Sequence, residues 1–163
     1  MEYMVRILTT GGTIDKEYFD AQSAYQIGEP QIADVLRNVN ALTPYTIETL
    51  FRKDSLDMND EDRALVRQRV EEAVEGRILI THGTDTMTET GRALIGIPGK
   101  TIVLVGSLSP ARFKQTDAEF NIGFAIAAVQ TLPEGIYIAM NGLVFDATRV
   151  RKNRAANRFE EID

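Results

Sequence analysis

The chain has no cysteine and a single histidine among its 163 residues. The first lack excludes disulfides and thiolate metal sites, and the second leaves His82 without the companion ligands a zinc site needs. Long apolar runs are missing too. No stretch approaches the roughly 20 residues of a membrane-spanning helix, and the opening MEYMVRILTT lacks a basic segment followed by a long apolar one. Nothing here needs an oxidising compartment, so cytoplasmic residence without a membrane partner is the expectation. The five prolines are scattered, and no low-complexity run or internal repeat stands out, which argues against a disordered or fibrous chain. Basic charge is also in deficit. A net charge of −6 repels nucleic acid and anionic membranes. The local exception is the cluster Arg149, Arg151, Lys152, Arg154 and Arg158, which has no interleaved aromatics and reads as a solvated surface segment in which Lys152 needs separate attention.

What the chain does have is enough apolar material, 44%, for one globular domain over residues 1–163. Short runs rich in branched residues at Val5 to Thr9, Thr46 to Phe51, Arg77 to Thr81, Thr101 to Val105 and Gly135 to Met140 predict buried strands. Helical patterns lie between them. Pro30 suits the first turn ahead of QIADVLRNV. The segment NDEDRALVRQRVEEAVEG begins with an Asn/Asp cap, puts Ala64, Leu65, Val70, Ala73 and Val74 on an apolar face, and stops at Gly76. A largely buried helix starts near Asp117. This alternation predicts an α/β fold of three layers, a mostly parallel sheet with helices on both faces, flavodoxin- or Rossmann-like.

In such a sheet ligands bind beyond the carboxyl ends of the strands. Four of those ends carry TTGGTID, KDSLDMND, THGTDTMTET and GSLSPAR, which bring hydroxyls, glycines and aspartates toward one rim. TTGGTID lacks the glycine fingerprints of phosphate-binding turns. The residues after Thr13, through Pro30, show no helical periodicity and predict a long loop of the kind that forms binding sites. A glycine turn with threonines as mere caps is the plain alternative. In THGTDTMTET, Thr86 and Glu89 form a T-x-x-E capping box, and the helix start they imply offers N–H groups to an oxyanion. His82 reads as a buried structural residue. Asp15, Asp57 and Asp60 read as turn and cap residues rather than as ligands of a metal.

TGGTI, the S-x-D-M of DSLDMND, THGTDTM and the Y-x-I-G of AYQIGE together resemble the active-site segments of the bacterial-type L-asparaginase family, in order and approximate spacing. The resemblance covers nearly the whole chain, as that family's amino-terminal domain. It implies a threonine nucleophile at Thr13, an assisting Tyr25, and a relay of Thr84, Asp85 and Lys152. It also implies a substrate pocket with Ser55 against the substrate carboxylate, beside Leu56, Gly12, Gly83 and Asp85. The implied reaction is hydrolysis of L-asparagine to L-aspartate and ammonia without a cofactor, by acyl transfer through Thr13 or through a water positioned by Thr84. A threonine hydroxyl is a weak nucleophile near neutral pH, so a base or a polarising neighbour is required. Lysine can serve as that base only if its proton is loosely held, with Asp85 orienting it.

Two departures from the family pattern stand out. Leu56 occupies a position where glutamine-accepting relatives carry glutamine, which predicts weak or negligible glutaminase activity. The chain also stops soon after Lys152, so the family's carboxy-terminal domain is expected to be absent and the substrate's ammonium ligand to come from Asp85 or from another copy in a homo-oligomer. A higher KM than that of two-domain relatives follows. Two other functions stay open: an ammonia-generating amidotransferase subunit, exposed by partner-dependent turnover, and a non-catalytic amino-acid-binding protein, exposed by binding without ammonia release.

Overall fold

The computed structural model describes residues 3–18 and 25–163, the side chains of Tyr18 and Tyr25 excepted. Its centre is a six-stranded sheet. The strands are β1 (Val5–Gly11), β4 (Tyr45–Lys53), β5 (Arg77–Thr81), β6 (Thr101–Val105), β7 (Gly135–Met140) and β8 (Leu143–Asp146), in the spatial order β4-β1-β5-β6-β7-β8. All neighbours pair in parallel except β7 and β8, which form an antiparallel turn-back at one edge. The helices are α1 (Ile32–Asn38), α2 (Asp60–Glu72), α3 (Met87–Ala93) and α4 (Ala118–Thr131).

The two cores show why the sheet is a middle layer. Val5, Ile7 and Leu79 face α1 and α4 on one side, where Ile32, Leu36, Ile122 and Val129 are buried. Leu8, Ile78 and Ile80 face α2 and α3 on the other, against Val66, Val70, Met87 and Leu94. Alternate residues of one strand thus feed opposite cores, as the strand period of two requires. Full burial of each such side chain is worth about 1.5–3 kcal/mol.

Three elements differ from the sequence expectation. The α2 helix ends at Glu72, four residues before Gly76, and its buried residues are Arg63, Val66 and Val70, while Leu65 and Val74 are exposed. Arg63 can be buried because its guanidinium pairs with Glu89 of α3 at 3.3 Å. Pro30 lies one residue outside α1, whose N-cap is Gln31. The strand predicted at Thr46 to Phe51 is longer, Tyr45–Lys53, and as an edge strand it has no fully buried residue.

The described residues of the stretch expected as a long loop form short regular elements. A 3-10 turn at Thr13–Asp15 leads into the antiparallel hairpin of β2 (Lys16–Tyr18) and β3 (Tyr25–Ile27). A second hairpin, β9 (Val150–Asn153) and β10 (Arg158–Glu161), folds back over the α2/α3 side, where Val150 and Phe159 join the core. No helix among the described residues is long and apolar enough to cross a membrane.

Candidate active site

β1 and β5 are neighbours, yet their connections leave in opposite directions, β1 toward β4 and β5 toward β6. This is the topological switch point, the place where open α/β sheets bind ligands beyond the carboxyl ends of their strands. The strands end level, with Thr9 paired to Thr81 and Thr81 to Val105, so the turns that follow meet at one rim. The Thr10 hydroxyl donates to the Thr81 carbonyl at 2.9 Å and holds the two ends together.

Contact between the turns depends on the absence of side chains at two positions. Gly12 has φ +92°, and a Cβ there would lie 2.5 Å from the N and Cα of Gly83. A Cβ on Gly83 would in turn lie 2.8 Å from the Cβ and Oγ of Ser55. The Thr13 turn, the Gly83 turn and the Ser55 turn are therefore stacked backbone to backbone. Thr13, directly after Gly12, is half-buried at the head of its 3-10 turn.

Lys152 comes to this rim from β9. It shares a strand face with the core residue Val150 and pairs across the hairpin with Phe159, so burial of those two side chains aims it inward. Its Nζ donates to Thr84 Oγ1 at 2.7 Å and to Asp85 Oδ1 at 2.8 Å. The Lys152 side chain is 14% exposed and that of Asp85 28%, which gives the pair more weight than a fully solvated one. Asp85 Oδ1 also has Arg154 Nε at 3.5 Å.

Ser55 is buried, and its hydroxyl oxygen accepts the Thr86 N–H at 3.1 Å, while its carbonyl accepts the Thr86 hydroxyl at 2.8 Å. The local capping box predicted for Thr86 and Glu89 does not form. The Thr86 hydroxyl is engaged by Ser55, which satisfies a helix-start N–H from a distant turn, and Glu89 pairs with Arg63. Thr86 N–H is thereby already used and is not open to an oxyanion. Ser55 keeps its own O–H for donation. Leu56 is 57% exposed on the Ser55–Asp57 turn. Tyr25 begins β3, opposite Tyr18 in the hairpin, and its side chain lies outside the described residues.

His82 is fully buried and both ring nitrogens are occupied, Nδ1 by the Gly83 carbonyl and Nε2 by the Thr90 hydroxyl, each at 2.7 Å. That pattern fits a neutral ring donating from Nδ1 and accepting at Nε2, a structural role. Burial, reinforced by the nearby Arg63 charge, lowers its pKa from 6.5 to about 4. Asp15 is also buried, and desolvation raises its pKa from 3.8 to about 7 despite the Gln31 N–H and the charges of Arg112 and Arg52. Asp57 and Asp60 are exposed, and among the described residues no group of three or more His, Asp or Glu could hold a metal.

These two groups give a testable pH profile. The stability His82 contributes is complete above pH 6.5 and is lost as pH falls through about 4, roughly 3 kcal/mol in all. The stability Asp15 contributes is complete below pH 3.8 and is lost as pH rises through about 7, about 4 kcal/mol. Their slopes oppose each other across the acid range, so the parent's dependence on these groups is nearly flat there. Asp15→Asn removes one slope: urea denaturation at stepped pH is expected to show stability climbing from pH 4 to 6.5 and exceeding the parent's above pH 7. Curves that run parallel for the two proteins would contradict it.

Two site residues are not legible in the sequence. Arg154 belongs to the cluster that reads as solvated surface, yet it reaches Asp85 from the turn just past the end of β9, two residues after Lys152. Asp15 reads as a turn residue, and only the fold reveals its burial.

Fold and rim together define a doubly wound α/β protein whose switch-point rim brings hydroxyls, an ammonium and a carboxylate together. The family profile described as Asparaginase, N-terminal matches residues 4–161, and the chain belongs to the asparaginase family. The L-asparaginase of Thermococcus kodakarensis is 34% identical over 171 residues, covering 96% of this chain and 50% of that protein. The solved structure of the thermostable L-asparaginase from Thermococcus kodakarensis superposes with a TM-score of 0.83 at 29% identity, over 98% of this chain and 51% of the other. A glutamyl-tRNA(Gln) amidotransferase subunit of Saccharolobus islandicus is 29% identical over 171 residues, 94% of this chain and 38% of that protein. The chain spans about half the length of the L-asparaginases it matches.

Proposed function

We propose that this chain hydrolyses L-asparagine to L-aspartate and ammonia, with Thr13 as nucleophile. The observation that carries the reading is the bonding of Lys152 Nζ to both Thr84 Oγ1 and Asp85 Oδ1 beside the Thr13 turn. In this mechanism the Thr13 hydroxyl attacks the side-chain amide carbon, and its proton passes toward the Thr84–Lys152 pair. The tetrahedral intermediate collapses to an acyl-threonine ester as that pair returns the proton to the departing nitrogen, which leaves as ammonia. Water, activated by the same pair, then cleaves the ester and releases aspartate. A water placed by Thr84 is the alternative first attacker. Ser55 donates to the substrate carboxylate, Gly12 and Gly83 shape the pocket wall, Tyr25 assists Thr13, and Asp85 orients Lys152 and faces the substrate ammonium. With Leu56 in place of a hydrogen-bonding side chain, glutamine is a poor substrate. The proposal includes cytoplasmic residence, no cofactor, a single domain over residues 1–163, and a homo-oligomer as the working form.

Ammonia release from the purified protein with L-asparagine and L-glutamine tests this directly. Asparagine turnover with little from glutamine, reduced by on the order of 10³-fold or more in Thr13→Ala, is the expected result. Full turnover in Thr13→Ala would remove the nucleophile assignment. The likeness to a tRNA-dependent amidotransferase favours a second reading, an ammonia source for a partner. Activity that appears only when a partner protein and its acceptor are added would select it.

A further inference from the structure

We propose that Asp15 is a positioning residue that ties both ends of the β2–β3 hairpin to the Thr13 turn and so fixes where Tyr25 stands relative to the nucleophile; this rests on the roles assigned to Thr13 and Tyr25 above. Asp15 closes the 3-10 turn that Thr13 opens, with its N–H donating to the Gly12 carbonyl at 3.1 Å. From there it holds the returning strand twice. Its carbonyl accepts the Gly28 N–H at 2.7 Å, and its Oδ1 accepts the Gln31 N–H at 2.9 Å. The other face of the turn is fixed as well, since the Ile14 carbonyl accepts the Ala111 N–H at 3.0 Å. Outward from these tethers the hairpin is paired in register, Lys16 with Ile27, Glu17 with Gln26 and Tyr18 with Tyr25. A shift at Asp15 is therefore passed along the ladder to Tyr25.

The surrounding charges make this tether depend on one carboxyl. Arg112 pairs with Glu17 of β2 at 3.0 Å, Arg52 of β4 pairs with Glu29 at 2.8 Å, and Lys16 pairs with Asp54 at 3.7 Å. Both arginines that face Asp15 are thus already matched by carboxylates. Among the described residues Asp15 Oδ2 is buried without a hydrogen-bond partner, so ionisation would leave charge on an unsolvated oxygen. Desolvation makes the neutral carboxyl the favoured form at this buried base, and its Oδ1 accepts the Gln31 N–H.

The test compares the parent, Asp15→Asn, Asp15→Ala, Tyr25→Phe and the Asp15→Ala/Tyr25→Phe double variant. Asparagine turnover is followed from pH 5 to 9, together with amide hydrogen exchange at Gln26, Gly28 and Gln31. Asp15→Ala is expected to lose about tenfold in kcat without a lower Tm, and the double variant to be no slower than Tyr25→Phe alone, since a residue acting through Tyr25 adds nothing once Tyr25 is disabled. Asp15→Asn, which keeps the Oδ1 acceptor, is expected to retain most of kcat and to lack the parent's decline above pH 7. Losses that multiply in the double variant, or an Asp15→Ala enzyme with undiminished kcat, would overturn the assignment. If the parent releases no ammonia, the activity proposal fails and exchange decides this one: faster exchange at Gln26, Gly28 and Gln31 together in Asp15→Ala upholds the tether, and a change confined to Gln31 refutes it.

Discussion

Lys152→Met is expected to lower kcat for asparagine by on the order of 10²–10⁴, the range that assistance by a positioned acid or base supplies. Methionine fills nearly the same space but takes away the donor shared by Thr84 Oγ1 and Asp85 Oδ1. The buried Thr84 hydroxyl then has nothing to exchange a proton with. Asp85 keeps a cation in Arg154, so the fold tolerates the change and KM moves less than kcat. Lys152→Arg sharpens the test. Guanidinium preserves positive charge at the site but cannot give up its proton at working pH, so it should not restore turnover. Steady-state ammonia release with a thermal melt on each variant is the check. A fully active arginine enzyme would mean that charge alone matters and that Lys152 is no base.

Gly12→Ala should be severely damaging. The new methyl would meet the Gly83 backbone at 2.5 Å in a conformation with φ +92° that alanine adopts only with strain. Neither neighbour is the flexible end of a side chain, so the two turns must part. Destabilisation of about 3 kcal/mol or more and loss of measurable turnover are expected. Gly123→Ala supplies the contrast. Gly123 sits in α4 with no atom within 4 Å of an added Cβ, and alanine there should raise stability by up to about 1 kcal/mol. Melting curves separate the two outcomes: similar shifts for both would show that backbone contact at the rim is not what makes Gly12 necessary.

The parallel strands are legible because buried branched runs and helical patterns alternate along the chain, and the structure keeps all five within a few residues. The β9–β10 hairpin is not, because only Val150 and Phe159 enter the core and the residues between them look like a basic surface segment. The α2 face misleads for a related reason: an apolar pattern cannot foresee that Arg63 is buried through an ion pair while Leu65 and Val74 stay in water. At Thr86 a local rule loses to a distant partner, since Ser55 meets that helix start only after the sheet has brought two turns together. Thr13, Thr84, Asp85 and Lys152 are picked out by likeness to a family, not by any local pattern. The bonds from Lys152 to Thr84 and Asp85 place three of them together.

The return of β9 to the rim also bears on how the protein folds. Thr84 and Lys152 are 68 residues apart in sequence, and Lys152 reaches the rim only where the β9–β10 hairpin packs on the core through Val150 and Phe159. Contacts of such long range pay a loop-closure entropy before they return any energy, so they tend to form late. Secondary structure measured during refolding should therefore reach its native level before catalytic competence does. Ammonia production, followed in the same refolding experiment, becomes a clock for the last docking step.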